Sequence, residues 1–201
     1  MDIILKYFFL SNKEIEKINF FVELIVEWNK KINLISRKDI KNIYEHHILH
    51  SLTLKKFIEF KDNSYVLDVG TGGGFPGIPL AIVYPNVNFV LLDSIKKKVN
   101  VLIDIVEKID LKNVKIIHSN IKKHTEKYDY ILERYVMNFK VFYNLTKKNA
   151  KSNTIFIAYK YGPVEKEVLE INKKMEIFEL EKYFEEEYFK KKKILILYNQ
   201  V

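Results

Sequence analysis

The chain has 201 residues, 48% of them hydrophobic, which suits one folded domain with a modest extension and argues against disorder. It contains no cysteine, so disulfides, a thiolate nucleophile and a cysteine-ligated zinc site are excluded. No apolar run approaches the roughly 20 residues of a membrane span, and the opening MDIILKYFFL lacks the basic segment and cleavage site of a signal peptide, so we expect a cytoplasmic protein.

The net charge is +8, and it is distributed unevenly along the chain. Residues 65–93 contain two acids, Asp68 and Asp93, and no base, whereas residues 94–125 contain eight lysines and three acids. An acidic pocket beside a basic surface suits a cationic cofactor and an anionic substrate. A lysine-rich proteome is the other explanation for the excess of positive charge.

Residues 1–64 are predicted to form an N-terminal helical extension. Apolar residues recur every three or four positions between residues 11 and 31, which is typical of an amphipathic helix. A second helix is predicted from about residue 40 to residue 60, and the polar segment KDNS ends it.

From residue 65 to residue 201 the pattern changes to that of a Rossmann-like α/β domain. The predicted strands and helices, in chain order, are YVLDV, PGIPLAIVY, VNFVLLD, SIKKKVNVLIDIVEKID, VKIIHS, YDYILER, NFKVFYNLTKKNA, NTIFIAYK, PVEKEVLEINKK, MEIFELEKYF and KKKILILYNQV. Alternating strands and helices predict a mostly parallel sheet with helices on both faces. The last two strands lack an intervening helix and predict an antiparallel edge, with EEEYFKKKK as a solvated hairpin loop.

The segment VLDVGTGGGFPGIPLAI, directly after the first predicted strand, carries five of the six glycines. A glycine loop at this place brings backbone close to a ligand at the carboxyl edge of the sheet. The Gly-Lys-Ser/Thr ending of a P-loop is missing. A dinucleotide fingerprint can be placed on Gly72, Gly74 and Gly77, but Pro76 removes an N–H, and Asp68 would repel a pyrophosphate.

S-adenosylmethionine fits the same residues better, because it carries a sulfonium and an ammonium group and no phosphate. Asp68 would attract these cations. Asp93, at the end of the second strand, could accept hydrogen bonds from both ribose hydroxyls. The remaining alternative for the loop is a structural turn without a ligand.

The chain resembles the RsmG (GidB) family of bacterial 16S ribosomal RNA guanine-N7 methyltransferases. DVGTGGGFPGIPLAI is similar to the family signature nearly residue for residue, and EWNKKINLIS, HILHS, LLDSIKKKVNVL, YILERYV and YKYG match further motifs in order. The resemblance covers essentially the whole chain, including the N-terminal helices. It implies a class I methyltransferase fold, S-adenosylmethionine as donor, and a guanine in the decoding region of the small ribosomal subunit as acceptor.

The resemblance also implies a set of cofactor contacts: Gly70, Phe75, Ile121, Lys122 and Arg134. Charge and strand position add Asp68, Gly72 and Asp93. Phe75 is expected to pack on the methionine arm, and Ile121 and Lys122 to lie at the height of the adenine. Arg134 is expected to reach a carboxylate, either the cofactor's or a neighbour's.

For 16S ribosomal RNA, or the small subunit that contains it, we expect phosphate contacts and base stacking from loops above the sheet. The candidate residues are Arg37, His47, Lys96, Lys97, Lys160 and Tyr161. Lys160 is singled out because it directly follows the fifth strand. The chain departs from the family pattern around this expected substrate face, at His50, Glu133, Tyr135 and Tyr161.

Guanine N7 has an unprotonated lone pair at neutral pH, so methyl transfer by in-line displacement needs alignment and no general base. We therefore expect no catalytic residue. The histidines of EHHILH have a spacing that suits a metal, but we favour a histidine-rich helix face, with His47 packing against the glycine loop or touching substrate. We expect no metal, no membrane partner and a monomer.

Three other functions remain open at this point. The first is a non-catalytic RNA- or ribosome-binding protein that keeps the methyltransferase fold. The second is a methyltransferase for a small molecule or a protein, and the third is a nicotinamide dehydrogenase.

Overall fold

The computed structural model describes residues 1–169, 171 and 173–199. The helices are α1 (Asp2–Leu5), α2 (Asn12–Asn29), α3 (His50–Leu52), α4 (Gly77–Val83), α5 (Lys96–Ile109), α6 (Phe139–Thr146) and α7 (Glu165–Leu169). The strands are β1 (Tyr65–Val69), β2 (Asn88–Asp93), β3 (Val114–His118), β4 (Tyr128–Arg134), β5 (Ala150–Tyr161), β6 (Met175–Glu179) and β7 (Lys192–Tyr198). The predicted last helix and last strand include residues 170, 172, 200 and 201, which lie outside the described residues.

The described strands form one seven-stranded sheet in the order β3-β2-β1-β4-β5-β7-β6. The first five strands are parallel, and β7 runs antiparallel to both β5 and β6. The predicted mostly parallel sheet with an antiparallel edge is confirmed. The chain moves outward from β1 to β3 and then returns to place β4 beside β1. The loops after β1 and β4 therefore meet at the carboxyl edge, where open α/β sheets bind ligands.

The N-terminal helix α2 is packed into the same core as the sheet. Ser11 and Glu14 form a capping box that starts the helix. Phe21, on its buried face, lies 5.2 Å from Phe75 of the glycine loop, measured between ring centroids. The Trp28 indole donates a hydrogen bond of 2.9 Å to Asp104 on α5. Because one cluster of buried side chains includes both segments, they share a core, and the division at residue 64 stays a prediction.

The single helix predicted over residues 40–60 is wrong. Its place is taken by a 3₁₀ turn at Ile40–Asn42, a π-helical turn at Tyr44–Leu49, the short α3 and a second 3₁₀ turn at Thr53–Lys56. Hydrogen bonds in a π turn join residues five positions apart, instead of four as in an α-helix. This wider turn changes which side chains face inward. As a result, the side chains of both His47 and His50 are turned into the protein.

The predicted solvated loop EEEYFKKKK is wrong in its aromatic part. Phe189 is fully buried, and Tyr188 stacks on His46 with ring centroids 3.8 Å apart. The strand before it is shorter than predicted, because β6 ends at Glu179 and a 3₁₀ turn follows. The charged residues on either side of Tyr188 and Phe189 made the whole segment resemble a solvated loop, although these two aromatic side chains pack against the protein.

Across the residues that the structure describes, no helix is both long enough and apolar enough to cross a membrane.

Candidate active site

A cleft of about 140 Å³ lies at the carboxyl edge of the sheet, where the strand order reverses. Three predicted cofactor residues line it: Gly70 after β1, Asp93 at the end of β2, and Ile121 after β3. A larger depression of about 560 Å³ lies at the opposite edge, beside Asn88 and Asn113. The volume of a depression therefore does not identify the ligand site. The site is identified by its position at the carboxyl ends of the parallel strands.

Five further residues, which were not predicted from the sequence, line the same cleft: Ser94, Ser119, Asn120, Val136 and Met137. Each of them directly follows the end of a parallel strand or lies within three residues of it. The loop residues that directly follow every parallel strand are the ones that the strand-end pattern predicts at such a cleft.

Two glycines of the loop are required by close approaches. A Cβ on Gly70, where φ is +72°, would lie 2.9 Å from a methyl group of Val136. A Cβ on Gly77 would lie 2.7 Å from Oδ2 of Asp68. The first glycine lets the loop after β4 close over the loop after β1, and the second lets helix α4 begin against the Asp68 carboxylate.

Asp68 holds the glycine loop in shape. Its Oδ2 accepts hydrogen bonds from the Thr71 hydroxyl at 2.7 Å and from the Gly77 N–H at 3.0 Å. The side chain is fully buried, and burial raises its pKa to about 7, more than these hydrogen bonds lower it. Its Oδ1 has no hydrogen-bond partner among the described residues. Asp68, which was predicted only to attract cofactor cations, thus has a structural role that its charge and strand position did not indicate.

Asp93 is the carboxylate that faces the cleft. Its Oδ1 accepts the Ile95 N–H at 2.8 Å, and its Oδ2 accepts the Gly72 N–H at 2.9 Å. Each carboxylate oxygen has a further lone pair, so both can still accept hydroxyl protons. Gly72 therefore acts by orienting Asp93. A fixed carboxylate beside the apolar Leu92 and Ile121 fits a ribose and an adenine ring, so the residues present suit the predicted nucleoside cofactor.

Arg134 pairs with no carboxylate among the described residues, so a neighbouring carboxylate is not its partner, and its contact with the carboxylate of the cofactor stays a prediction. Its Nη2 donates to Nδ1 of His47 at 2.9 Å, and its Nη1 donates to the His46 carbonyl at 3.3 Å. Burial, together with the Arg134 charge, lowers the pKa of His47 to about 3, so the imidazole is neutral and can accept this hydrogen bond. His47 packs on Phe75, with ring centroids 4.9 Å apart, as the sequence predicted.

The Phe75 ring is enclosed by protein side chains. It is 3% exposed and packs on Phe21, His47 and the Arg134 guanidinium, which lies 5.2 Å from the ring centroid. The expected packing of this ring on the methionine arm therefore does not agree with the structure. The ring instead joins α2 and the π turn to the glycine loop.

Lys160 is not available to bind a phosphate at the surface, contrary to the prediction. It is 6% exposed, its Nζ lies 2.7 Å from Oε1 of Glu133, and it donates to the Met137 carbonyl. Glu133 also accepts the Val136 N–H at 2.7 Å. The buried pair thus holds the two residues of the β4 loop that form one wall of the cleft.

The other predicted RNA contacts lie at the surface. Arg37, Lys96 and Lys97 are exposed, and Tyr161 is exposed at the end of β5. Lys122 is exposed and lies next to Ile121, but it is not part of the cleft lining. In the described part of the chain, no group of three or more metal-binding side chains comes together.

Comparison with known proteins shows which family these residues represent. Residues 14–196 match the family GidB, described as rRNA small subunit methyltransferase G. The chain belongs to this family. The predicted family is therefore confirmed.

Curated members of the rRNA small subunit methyltransferase G family align with nearly the whole chain. The protein from Porphyromonas gingivalis is 44% identical, over 98% of this chain and 92% of its own length. The protein from Bacteroides thetaiotaomicron is 42% identical, over the full length of both chains. Both are named Ribosomal RNA small subunit methyltransferase G.

Solved structures confirm the predicted fold. A SAM-dependent methyltransferase from Aquifex aeolicus is 20% identical with a TM-score of 0.61, over 82% of this chain and 98% of that one. M. jannaschii TYW2 in complex with AdoMet is 16% identical with a TM-score of 0.60, over 84% of this chain and 77% of that one. Family and fold together support methylation of ribosomal RNA, with S-adenosylmethionine as cofactor.

Proposed function

We propose that this chain transfers a methyl group from S-adenosylmethionine to N7 of a guanine in 16S ribosomal RNA. The observation that carries the proposal is the cleft at the carboxyl edge, in a chain of this family. There a carboxylate fixed by two backbone N–H groups lies beside apolar side chains and a bare glycine backbone.

Asp93 would hold the ribose hydroxyls of the cofactor, and Leu92 and Ile121 would contact its adenine. When bound, S-adenosylmethionine supplies a methyl group made electrophilic by the sulfonium. Asp68 keeps the loop in the shape that leaves this cleft open, through its bonds to Thr71 and Gly77.

The chain needs no general base for this acceptor, because guanine N7 carries a free lone pair at neutral pH. His47 suits a positioning role, since its low pKa keeps it neutral and its Nδ1 is occupied by Arg134. Alignment of donor and acceptor alone can supply about 7–11 kcal/mol of the barrier reduction. The proposed reaction is therefore an in-line displacement in which the protein orients the two partners.

The deciding experiment maps 7-methylguanosine in 16S ribosomal RNA from cells with and without this gene. We expect one guanine to lose its N7 methyl group in the deletion strain and to regain it when the gene is restored. The purified chain should methylate the same guanine in small subunits, or in naked 16S RNA, from the deletion strain. An unchanged map would contradict the proposal.

The non-catalytic alternative makes a different prediction. A ribosome-binding protein that only keeps the fold would bind small subunits but would show no heat of binding with S-adenosylmethionine. Calorimetry on the folded wild-type chain separates the two functions.

A further inference from the structure

Lys192, the first residue of β7, lies in a cage of aromatic rings. Its side-chain nitrogen is 4.0 Å from the ring centroid of Tyr188, 5.1 Å from that of Tyr161 and 5.6 Å from that of Tyr135. The residue is 9% exposed. The ring faces attract an ammonium, but they accept none of its hydrogen bonds in the usual geometry.

The described residues include a second buried lysine, Lys160, and the comparison between the two is informative. Lys160 is paired with Glu133, whereas the side-chain nitrogen of Lys192 makes no hydrogen bond or ion pair with any described residue. Burial and the nearby charge of Arg134 lower the pKa of Lys192. Ring faces do not use the three N–H donors of an ammonium, so these donors are available to an acceptor that arrives from outside.

The cage lies next to the cofactor cleft. Tyr135 immediately precedes Val136, which lines the cleft, and Tyr161 ends β5 opposite Lys192 in the strand pairing. Tyr135 and Tyr161 are 43% and 60% exposed, so their rings present open aromatic surface. A Cβ on Gly162 would meet no atom within 4 Å, which leaves space beside Tyr161.

The tyrosine side chains of the cage are held in place by the backbone conformation of Tyr135 and by contacts with His50. Tyr135 has a φ of +58°, which is uncommon for a residue other than glycine. The hydroxyls of Tyr135 and Tyr188 lie 3.4 Å and 3.3 Å from the two ring nitrogens of the buried His50. His50 and Tyr135 are two of the positions at which the chain departs from the family pattern, and here they act together.

We propose that Tyr135, Tyr161 and Lys192 form the pocket for the acceptor guanine. The tyrosine rings stack on a base drawn out of its helix, and Lys192 donates a hydrogen bond to its O6. This inference rests on the proposed function. O6 and N7 are adjacent acceptors on one edge of guanine, so a donor on O6 orients N7 towards the cleft and leaves its lone pair free.

The same arrangement discriminates against adenine, which presents an amino donor where guanine has O6. It also fits the charge that the base acquires. Guanine methylated on N7 is cationic, and tyrosine ring faces attract a cation. Lys192 repels the same cation, which favours release of the methylated base.

The test compares Lys192→Met with Lys193→Met, which removes the same charge from the next residue of the strand. The substrate is the small subunit from cells that lack the gene, and the readout is 7-methylguanosine formed. We expect Lys192→Met to lower kcat/KM by about 10- to 150-fold, the value of a lost charged hydrogen bond. The Kd for S-adenosylmethionine should be unchanged, and Lys192→Arg should restore part of the activity. Lys193→Met should behave like the wild type.

Two further measurements distinguish a base contact from a phosphate contact and test the stacking. The salt dependence of small-subunit binding should be unchanged in Lys192→Met. A slope reduced by about one counterion would assign Lys192 to a phosphate and overturn the O6 contact.

Tyr161→Ala should lower kcat/KM by about 5- to 150-fold, the range for a lost base stack, and Tyr161→Phe should retain activity. Equal losses in the two Tyr161 variants would overturn the stacking role.

The outcomes also separate this inference from the proposed function. If the wild type forms 7-methylguanosine and Lys192→Met is as active, only the inference fails. If the wild type methylates another atom, the proposed function fails and the O6 contact fails with it. Thermal unfolding of each variant shows that it is folded, and the exposed Tyr161 gives variants that do not disturb the core.

Discussion

Asp68 and Asp93 each lie at the end of a parallel strand, but their surroundings give them different roles. Asp93 faces the cleft, and both its oxygens are held by backbone N–H groups. Asp68 is fully buried behind the loop, where it bonds to Thr71 and Gly77. The sequence placed both acids correctly at the strand ends, but burial determines which of them can face a ligand.

Asp68 should make stability depend on pH in a defined direction. Its pKa is about 7 when folded and 3.8 ordinarily, so the folded state binds more protons between these values. Its contribution to stability is complete below pH 3.8 and is lost as the pH rises to 7. The unfolding free energy of Asp68→Asn, relative to wild type, should therefore rise by about 1.4 kcal/mol per pH unit from pH 4 to pH 7.

Guanidinium unfolding of both proteins at several pH values measures this difference. His47, whose lowered pKa gives a slope of the opposite sign below pH 6.5, is present in both proteins and cancels. A difference that does not change with pH would contradict the assignment.

Gly70→Val should abolish S-adenosylmethionine binding in calorimetry, because the new side chain would collide with Val136 in the wall of the cleft. Gly162→Val is the matched control, since Gly162 has a similar φ of +78° but open space around it. Both variants should lose about 1–3 kcal/mol of stability through backbone strain. Wild-type cofactor affinity in a folded Gly70→Val chain would show that the loop assignment is wrong.

Lys160→Met should reduce the unfolding free energy by about 3–5 kcal/mol, because it leaves the Glu133 carboxylate buried without its partner. Lys151→Met, which breaks the more exposed pair with Asp129, should cost less than about 1 kcal/mol. Denaturant unfolding compares the two. Equal losses would mean that the Lys160 pair is not buried in solution.

At the scale of secondary-structure elements, the N-terminal helices pack into the same core as the sheet. Helix α2 contacts the glycine loop through Phe21 and α5 through Trp28. The irregular segment between α2 and β1 turns His47 and His50 inward, against Phe75 and Tyr159. The helical extension thus fixes the loop that shapes the cofactor cleft.

The shared core predicts that both segments unfold in one transition. Trp28 is the only tryptophan in the chain and lies in α2, so its fluorescence reports the N-terminal helices, while circular dichroism reports the whole chain. The two guanidinium curves should coincide. Phe21→Ala should shift both curves together, at a cost of about 3–5 kcal/mol. An earlier fluorescence transition would indicate that the extension unfolds independently.

At the scale of the whole molecule, the cofactor cleft, the aromatic cage and exposed basic side chains meet at or near one edge of the sheet. The cleft contributes a carboxylate, and the surface around it contributes cations such as Lys96 and Lys97 at the start of α5. This division suits a cationic donor and a polyanionic acceptor.

The double variant Lys96→Ala/Lys97→Ala should weaken small-subunit binding and reduce its salt slope by about two counterions, without changing S-adenosylmethionine affinity. The control is Lys13→Ala/Lys112→Ala, which removes the same charge at the opposite edge of the sheet. Titrations at several salt concentrations compare the two. Equal slopes for the two variants would attribute the basic charge to composition rather than to RNA binding.

The features that could be read from the sequence are local ones. Alternating apolar runs and helices predict the parallel sheet, and a glycine loop followed by an acid at the next strand end predicts Gly70 and Asp93 in one cleft. These inferences succeed because, in a parallel sheet, the order of elements alone determines which residues reach the carboxyl edge. Family resemblance rests on the same short motifs.

The features that the sequence could not supply depend on side chains brought together from distant positions. Arg134 meets His47 across 87 residues, Lys160 is neutralised by Glu133 on the neighbouring strand, and Lys192 enters a cage that includes Tyr135. The type of residue predicted a carboxylate for Arg134 and a phosphate for Lys160, and the charge run predicted a solvated Lys192. Their actual partners are set by burial and packing, because a charge enclosed in the fold must use the acceptors and ring faces that the neighbouring elements provide.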